Sequence, residues 1–166
     1  TNNPFDKNEW SLFKKNNWNK NIFNSSIRLD DLFEKKLKYK SDELKKFINN
    51  KIKIAKPLYF AISVNGKNIN TVFNSIYMKK IIFQILKKKK IPLMILIGVK
   101  RGVNLEYKDG GDGIGDENCD VLEEIVKKNQ NINFLVTHLS DLSQYKLIVL
   151  SRKFSNLKLF GFWWYL

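Results

Sequence analysis

The sequence predicts an α/β fold with a parallel β-sheet. Five short runs, four of them largely apolar, are strand candidates, and segments with apolar residues at helical spacing lie between them. One run, LMILIGV, is apolar throughout, which is typical of a parallel strand covered on both faces. Alternation of strands and helices favours crossover connections and therefore parallel pairing. The five runs lie near residues 25–29, 58–64, 93–99, 133–138 and 157–162.

Length and composition indicate a single domain over residues 1–166. With 43% hydrophobic residues the chain can bury a core, which excludes an intrinsically disordered protein. The longest uncharged apolar run is far shorter than the ~20 residues that a membrane-spanning helix needs. Because the N-terminus also lacks the pattern of a secretory signal, we expect a cytoplasmic protein without a membrane partner.

The N-terminal third predicts two helices around the first strand. Asp6 is placed to cap a short helix, and Asp30 to cap a turn directly after the strand. Ser41 and Asp42 open a longer helix, which Pro57 ends. The predicted apolar positions are Trp10, Leu12 and Phe13 in the first helix and Leu44, Phe47, Ile48 and Ile52 in the second.

The middle third predicts a helix, a long loop and another helix. The first helix follows the second strand and runs to Lys90. The loop covers residues 101–116, and six of the chain's 8 glycines lie between positions 98 and 115. The second helix spans about 117–128. The apolar stripe of the first helix consists of Phe73, Ile76, Tyr77, Ile81 and Ile85.

The C-terminal part predicts a helix between the last two strands. Ser140 is placed to cap this helix and Asn156 to end it. Four aromatic residues, from Phe162 to Tyr165, stand at and after the end of the last strand, with no helix to cover them. Since a parallel strand needs a layer on each face, we expect a piece of a larger protein, with an open doubly wound sheet as the alternative. The apolar set of the helix is Tyr145, Ile148 and Val149.

The chain is strongly basic, with a formal net charge of +14. A basic excess can mark a nucleic-acid-binding protein. However, only three of the 30 basic residues are arginines, the residue that base and phosphate recognition favours. The abundance of Lys, Asn, Ile and Phe is typical of an AT-rich genome. We therefore interpret the lysines as a solvated surface and do not expect a nucleic-acid partner.

The glycine-rich loop follows a buried strand, a position where such loops can cradle phosphate. This loop carries Asp109, Asp112 and Asp116 and lacks a Gly-Lys-Ser/Thr ending. Because carboxylates repel phosphate, we do not expect nucleotide binding. We interpret the segment as a long flexible loop at the carboxyl edge of the sheet, which is also where α/β proteins place active sites.

Basic and aromatic residues near strand ends are the candidates for ligand binding. Arg28, Lys100 and Arg101 lie at or just after strand ends. An arginine there suits a carboxylate ligand, and a surface salt bridge is the alternative. Trp163 and Trp164 suit either a sugar site, by stacking, or packing in the core.

The single histidine and the single cysteine limit the remaining chemistry. Cys119 excludes a disulfide framework, and at a helix start we expect it to be inert. His138 excludes a His-rich metal centre built by this chain alone. It closes a strand, where a base or a ligand can lie, but we interpret it as a hydrogen-bonded structural residue.

Six segments of the chain carry a recognisable pattern: NPFDKNEWSLF, SSIRLDDL, IGVKRGVN, GDGIGD, NFLVT and RKFSNLKLFGFWWYL. In this order, over essentially the whole chain, they resemble the uronate isomerases, in particular the divergent glucuronate isomerase branch of the amidohydrolase superfamily. The resemblance implies a (β/α)8 barrel of the TIM type, of which this chain matches about the third to seventh strands. It also implies an isomerase of carbohydrate metabolism that interconverts an aldouronate and a ketouronate, such as glucuronate and fructuronate.

The resemblance implies roles for particular residues. Arg28 corresponds to a strand-end arginine that contacts the carboxylate or a hydroxyl of the substrate. Arg101 corresponds to an arginine that follows the fifth strand of the family's barrel. Trp163 or Trp164 corresponds to tryptophans that line the sugar pocket. The family uses a divalent, zinc-like metal, whose ligands lie on strands outside this chain. The partners implied are a small-molecule sugar acid and either a second copy of the chain or the missing barrel segments.

The chain departs from the family pattern at several positions. Leu96 stands where the wider family has a histidine, and His138 where a methionine is expected. Residues 139–144, LSDLSQ, replace a segment that carries Arg, Glu and Asn. Because the metal ligands also lie outside the chain, we expect the isolated chain to be inactive. The alternatives are a non-catalytic remnant, a binding module or a basic nucleic-acid-binding domain.

Overall fold

A computed structural model describes residues 2–15, 19, 24–35, 37–139 and 141–162. Five parallel strands form the main sheet, and each strand pairs with its neighbours in the sequence. All five predicted strands are confirmed. They are β1 (Ser26–Arg28), β2 (Tyr59–Val64), β3 (Leu93–Ile97), β4 (Phe134–His138) and β5 (Leu157–Phe162).

Helices precede β1 and connect the strands. A π-helix, Met78–Ile82, leads directly into one of them, the helix Phe83–Lys89. Between β3 and β4 a small antiparallel hairpin joins Val99–Lys100 to Gly113–Ile114, with a 3₁₀ helix, Leu105–Gly111, at its tip. None of the described helices has the length and apolar character needed to cross a bilayer. The α-helices are α1 (Lys7–Lys15), α2 (Asp30–Glu34), α3 (Ser41–Ala55), α4 (Ile69–Asn74), α5 (Phe83–Lys89), α6 (Cys119–Lys128) and α7 (Asp141–Lys153).

The order of the strands shows how the sheet is wound. In a doubly wound sheet the strand order reverses at a switch point, whereas here it follows the chain from β1 to β5. The doubly wound alternative is therefore wrong. Since parallel crossovers are right-handed, connections that all step the same way place their helices on the same face. This winding is that of consecutive strands in a β/α barrel.

The face that packs against the helices forms the hydrophobic core. One row of paired residues crosses all five strands, and every member is fully buried. On the helix side, Phe83 of α5 meets Phe134 edge-on, with ring centroids 6.5 Å apart. Full burial of such side chains contributes roughly 1.5–3 kcal/mol each. The row consists of Ile27, Phe60, Leu93, Phe134 and Leu157.

The opposite face of the sheet is only partly covered. Met94, Leu96 and Leu135 are half-buried there, and Phe160 is exposed. The sequence predicted that β3 is covered on both faces, and this prediction is therefore only partly confirmed. Because side chains alternate between faces, Arg28 at the end of β1 belongs to this open face.

The predicted helix after β2 is interrupted. Ser75 adopts an extended conformation after α4, and its hydroxyl donates to Val72 O and accepts from Met78 N. The hydroxyl thus replaces helical hydrogen bonds at the break. The break rotates the stripe, so that Ile76 is 62% exposed although the sequence placed it in the core.

The buried side of α7 also differs from the expectation. Tyr145, Ile148 and Val149 are exposed, whereas Leu147 and Leu150 are buried. The helix is apolar on more than one side, so the period alone did not fix which side faces the sheet. The sequence placed the end of this helix at Asn156, whereas α7 ends three residues earlier, at Lys153. Asn156 instead anchors the turn before β5, because its buried amide donates to the carbonyl oxygens of three residues near the end of α6 and before β4. These acceptors are Val126, Asn129 and Ile132.

Asp31 ties the N-terminal segment to the start of α2. Its Oδ2 accepts hydrogen bonds from Asn3 Nδ2 at 2.8 Å and from Lys35 Nζ at 2.6 Å. Burial alone would raise the pKa of Asp31, but the hydrogen bonds from Lys35 and Asn3 outweigh it and lower the pKa. Asn2 lies beside this anchor and forms a parallel bridge with Ile27 at the edge of the sheet.

We predict that Asp31→Asn destabilises the fold by roughly 1 kcal/mol at neutral pH, because a charge-assisted contact is lost. A lowered folded-state pKa gives stability above the unfolded value of about 3.9 that is lost as the pH falls through the folded pKa. The difference between wild type and variant should therefore shrink in acid. Urea denaturation between neutral and acidic pH measures it, with the exposed pair Glu124–Lys128 as control through Glu124→Gln. A pH-independent difference would contradict the assignment.

We predict that Gly98→Ala is more destabilising than Gly161→Ala. Gly98 has φ +91°, and an added Cβ would lie 2.6 Å from Cγ and Oε1 of the buried Glu117. Gly161 has φ +41°, but an added Cβ there meets no described atom within 4 Å. Its substitution adds only backbone strain of about 1–2 kcal/mol. Thermal unfolding of both variants compares them, and equal losses would show that the clash with Glu117 is relieved.

Candidate functional site

The carboxyl ends of β1 and β2 bring together a small polar cluster. Arg28 is the last residue of β1, and its Nη2 lies 3.5 Å from Ser63 Oγ on β2. Asp30 follows two residues later and accepts from Arg28 Nε at 2.8 Å. Parallel strands end at the same edge, so these groups meet where barrel proteins place their sites.

Asp30 holds this cluster in place. β1 ends at Arg28, so the Ser63 amide has no β1 carbonyl beside it, and Asp30 Oδ1 accepts its N–H at 3.0 Å instead. The other oxygen, Oδ2, accepts from Arg28 Nε. Both oxygens are thus engaged in a side chain that is only 7% exposed. Asp30 therefore positions Arg28 and is not placed to bind a ligand itself.

The guanidinium of Arg28 is fixed on one side and open on the other. Burial works against its charge, but the hydrogen bond and the negative charge of Asp30 outweigh it and raise the pKa of Arg28. Its side chain remains 37% exposed, and Nη1 donates no hydrogen bond to any described residue. A permanently charged, pre-positioned guanidinium with a free edge is suited to bind a carboxylate.

The glycine-rich loop is more ordered than expected. Instead of a featureless flexible connection, residues 99–114 form the hairpin and the 3₁₀ helix. Arg101 forms an ion pair with Asp112, whose other oxygen accepts from Gly102 N–H at 2.9 Å. The hydrogen bond from Gly102 and the charge of Arg101 lower the pKa of Asp112, although burial opposes them. Arg101 is half-exposed but already has a carboxylate partner.

The two described aspartates of this loop, Asp112 and Asp116, have separate partners and do not converge on one point. Asp116 accepts from Asn118 N–H, while Asp112 faces Arg101. The side chain of Asp109 lies outside the described part. Among the described residues, no group of three or more His, Cys, Asp or Glu side chains is placed to hold a metal ion.

His138 lies on the helix-packed face and not on the open face. It is 3% exposed, and its Nδ1 lies 3.9 Å from Oε1 of Glu117, which also accepts from Leu139 N–H at 2.9 Å. This buried contact fits the structural role expected for His138. Cys119 begins α6 as predicted, and burial raises the pKa of its thiol, in keeping with an inert cysteine.

The structure describes only part of the remaining predicted site residues. Lys100 ends the first strand of the hairpin and is exposed. Trp163 and Trp164 lie outside the described residues, as does Ser140. Ser63 and Glu117 carry no signal in the sequence, whereas the spacing of Arg28 and Asp30 directly after a strand was an available signal for their pairing.

Among the comparisons with known proteins, the comparison with solved structures found a similar protein. No protein-family model matches the chain, and no curated protein matches it in sequence. Among solved structures, a uronate isomerase from Bacillus halodurans C-125 is similar, with a TM-score of 0.85 and 29% sequence identity. The match covers 99% of this chain and 44% of the other, so the chain spans less than half the length of that protein. This structural neighbour supports the resemblance to uronate isomerases.

Proposed function

We propose that this chain supplies the sugar-acid-binding part of a uronate isomerase that interconverts glucuronate and fructuronate or a similar pair. The observation that carries the proposal is Arg28, held by Asp30 and Ser63 at the carboxyl edge with its outer edge open. The similarity to a solved uronate isomerase over 99% of the chain supports it.

Arg28 is assigned to the carboxylate of the substrate. A uronate differs from a neutral sugar by this carboxylate, and a guanidinium can bind both of its oxygens at once. Asp30 keeps the guanidinium in one orientation, so less freedom is lost when the ligand binds. The net charge of +14 also favours the approach of an anionic sugar.

Arg101 is assigned a second contact with the substrate. It lies after β3 on the hairpin, and its charge is balanced by Asp112. Arg101 is held by a single ion pair and is 48% exposed, against 37% for Arg28, so it is less firmly positioned and we expect it to contribute less affinity than Arg28.

The described residues do not fit a divalent metal site. Both carboxylate oxygens of Asp30 already accept hydrogen bonds, from Arg28 and from Ser63. Glu117 and His138 lie buried on the face of the sheet that packs against the helices. The metal-assisted proton transfer that the resemblance implies is therefore not assigned to these residues. Arginines remain protonated and make poor bases, so the described site binds the substrate and does not move its proton.

We predict that the chain binds glucuronate, and that Arg28→Met weakens this binding about tenfold or more. Loss of a hydrogen bond to a charged group costs roughly 1.5–3 kcal/mol, and about 1.4 kcal/mol corresponds to tenfold. Titration calorimetry with glucuronate and with glucose measures it. Asp30→Asn should also weaken binding, because Arg28 loses its positioning partner.

Arg152→Met is the matched control for this experiment. Arg152 is exposed near the end of α7, and its replacement by methionine removes the same net charge as Arg28→Met. It should leave the affinity for glucuronate unchanged within about twofold. Equal losses in both variants, or equal binding of glucose and glucuronate, would contradict a carboxylate site at Arg28.

We predict that the isolated 166-residue chain does not convert glucuronate into fructuronate, even with a divalent metal added. The reason is that the described residues offer a carboxylate site but no cluster that holds a metal ion. Proton NMR of glucuronate incubated with the chain follows both sugars. Conversion above the protein-free control would show that this chain carries the proton-transfer chemistry itself.

A further inference from the structure

A cleft between α1 and α3 lies apart from the sheet-edge cluster. It has a volume of about 640 Å³, within the range of roughly 300–1,000 Å³ that small-molecule sites occupy. Its wall is aromatic: the rings of Phe5 and Phe47 stack with centroids 5.4 Å apart, and Tyr39 and Trp10 complete it. The aromatic wall gives the cleft a fixed shape.

The charges that line this cleft are all positive. Lys7, Lys14 and Lys15 of α1 and Lys51 of α3 line it, and no acidic side chain does so among the described residues. None of these four ammonium groups forms an ion pair with a described carboxylate. Surface lysines normally point apart into water, whereas these four surround one concave space.

Lys51 shows that the positive charge is concentrated. Its Nζ lies 4.0 Å from the centre of the Trp10 ring and 4.9 Å from that of Phe47. Burial lowers the pKa of Lys51, and the charge of Lys14 lowers it further. An anion in the cleft would relieve this repulsion, which an aromatic contact only partly offsets.

The type of cation indicates the type of anion. The cleft is lined by lysines and by no arginine among the described residues. A planar carboxylate is best matched by the fork of arginine, whereas lysine binds phosphate as a point charge. Four separate ammonium groups match a ligand that carries several charged oxygens along its length.

We propose that the cleft between α1 and α3 binds a polyphosphate group, either a free phosphate chain or the phosphate tail of a nucleotide. The volume of about 640 Å³ matches a small ligand and not an extended nucleic acid. The site is separate from Arg28, so it does not depend on the proposed binding of uronates.

Titration calorimetry of the 166-residue chain with inorganic tripolyphosphate tests the proposal, at constant and low ionic strength. We expect saturable binding of one ligand, weakened at least tenfold by Lys14→Gln combined with Lys51→Gln. Lys7→Gln with Lys15→Gln should also weaken it, and this pair leaves the contact between Lys51 and Trp10 intact. Circular dichroism and the Tm of each variant establish that it is folded.

The matched control removes two charges elsewhere. Lys88→Gln with Lys89→Gln changes exposed lysines of α5 and should leave the affinity unchanged within about twofold. Arg28→Met should also leave it unchanged, which separates this site from the uronate site. ATP binding tenfold tighter than tripolyphosphate identifies a nucleotide as the source, and equal binding identifies a phosphate chain.

Two results would overturn the proposal. The first is an equal loss of tripolyphosphate binding in the α5 control, which would show a general effect of net charge. The second is binding of a single-stranded oligonucleotide without binding of tripolyphosphate, which would identify a nucleic-acid surface instead.

Discussion

The buried row that crosses the five strands is the constraint on which the rest of the structure depends. Each member pairs in register with the next and is fully excluded from water. A slip of one residue in any strand would turn its apolar side chains from the core to the open face, so the row fixes the register of all five strands. With the register fixed, the carboxyl ends of β1 and β2 are also aligned, and Arg28 lies within reach of Ser63.

The early end of β1 determines which side chains lie at the aligned edge of the sheet. A strand of three residues leaves the Ser63 amide without a carbonyl from β1, and Asp30 supplies the missing acceptor. The same carboxylate orients Arg28. Asp30 thereby accepts the otherwise unpaired N–H of Ser63 and also holds the guanidinium of Arg28 in place. Its removal would leave a buried donor unpaired and a guanidinium free to rotate, so stability and binding are coupled at this position.

The sequence predicted four of the strands well because each is a short, largely apolar run that begins after proline or a polar residue, whereas β1 was inferred as a short extended piece before Asp30. It predicted helix faces less well, since the stripe containing Ile76 assumed a continuous helix and the local hydrogen bonds of Ser75 interrupt it. Arg28 was predicted as a candidate from its place after a strand. Ser63 was not, because contacts between separate strands depend on register, which a single sequence does not specify. The cleft lysines were missed for a related reason: composition shows how many lysines there are, but not which of them converge.

The two basic sites differ in how their charge is balanced, and this difference has a chemical consequence. Arg28 is held by a carboxylate, so its own charge is largely compensated and its remaining contribution is directional. The lysines of the α1–α3 cleft lack a described counter-charge, and their contribution is a concentrated positive potential. A directional site discriminates by geometry and suits a single carboxylate, whereas a potential discriminates by charge number and suits a polyanion. Salt should therefore weaken anion binding in the cleft more strongly than anion binding at Arg28. The reason is that ions screen a long-range electrostatic potential more than they screen short, aligned hydrogen bonds.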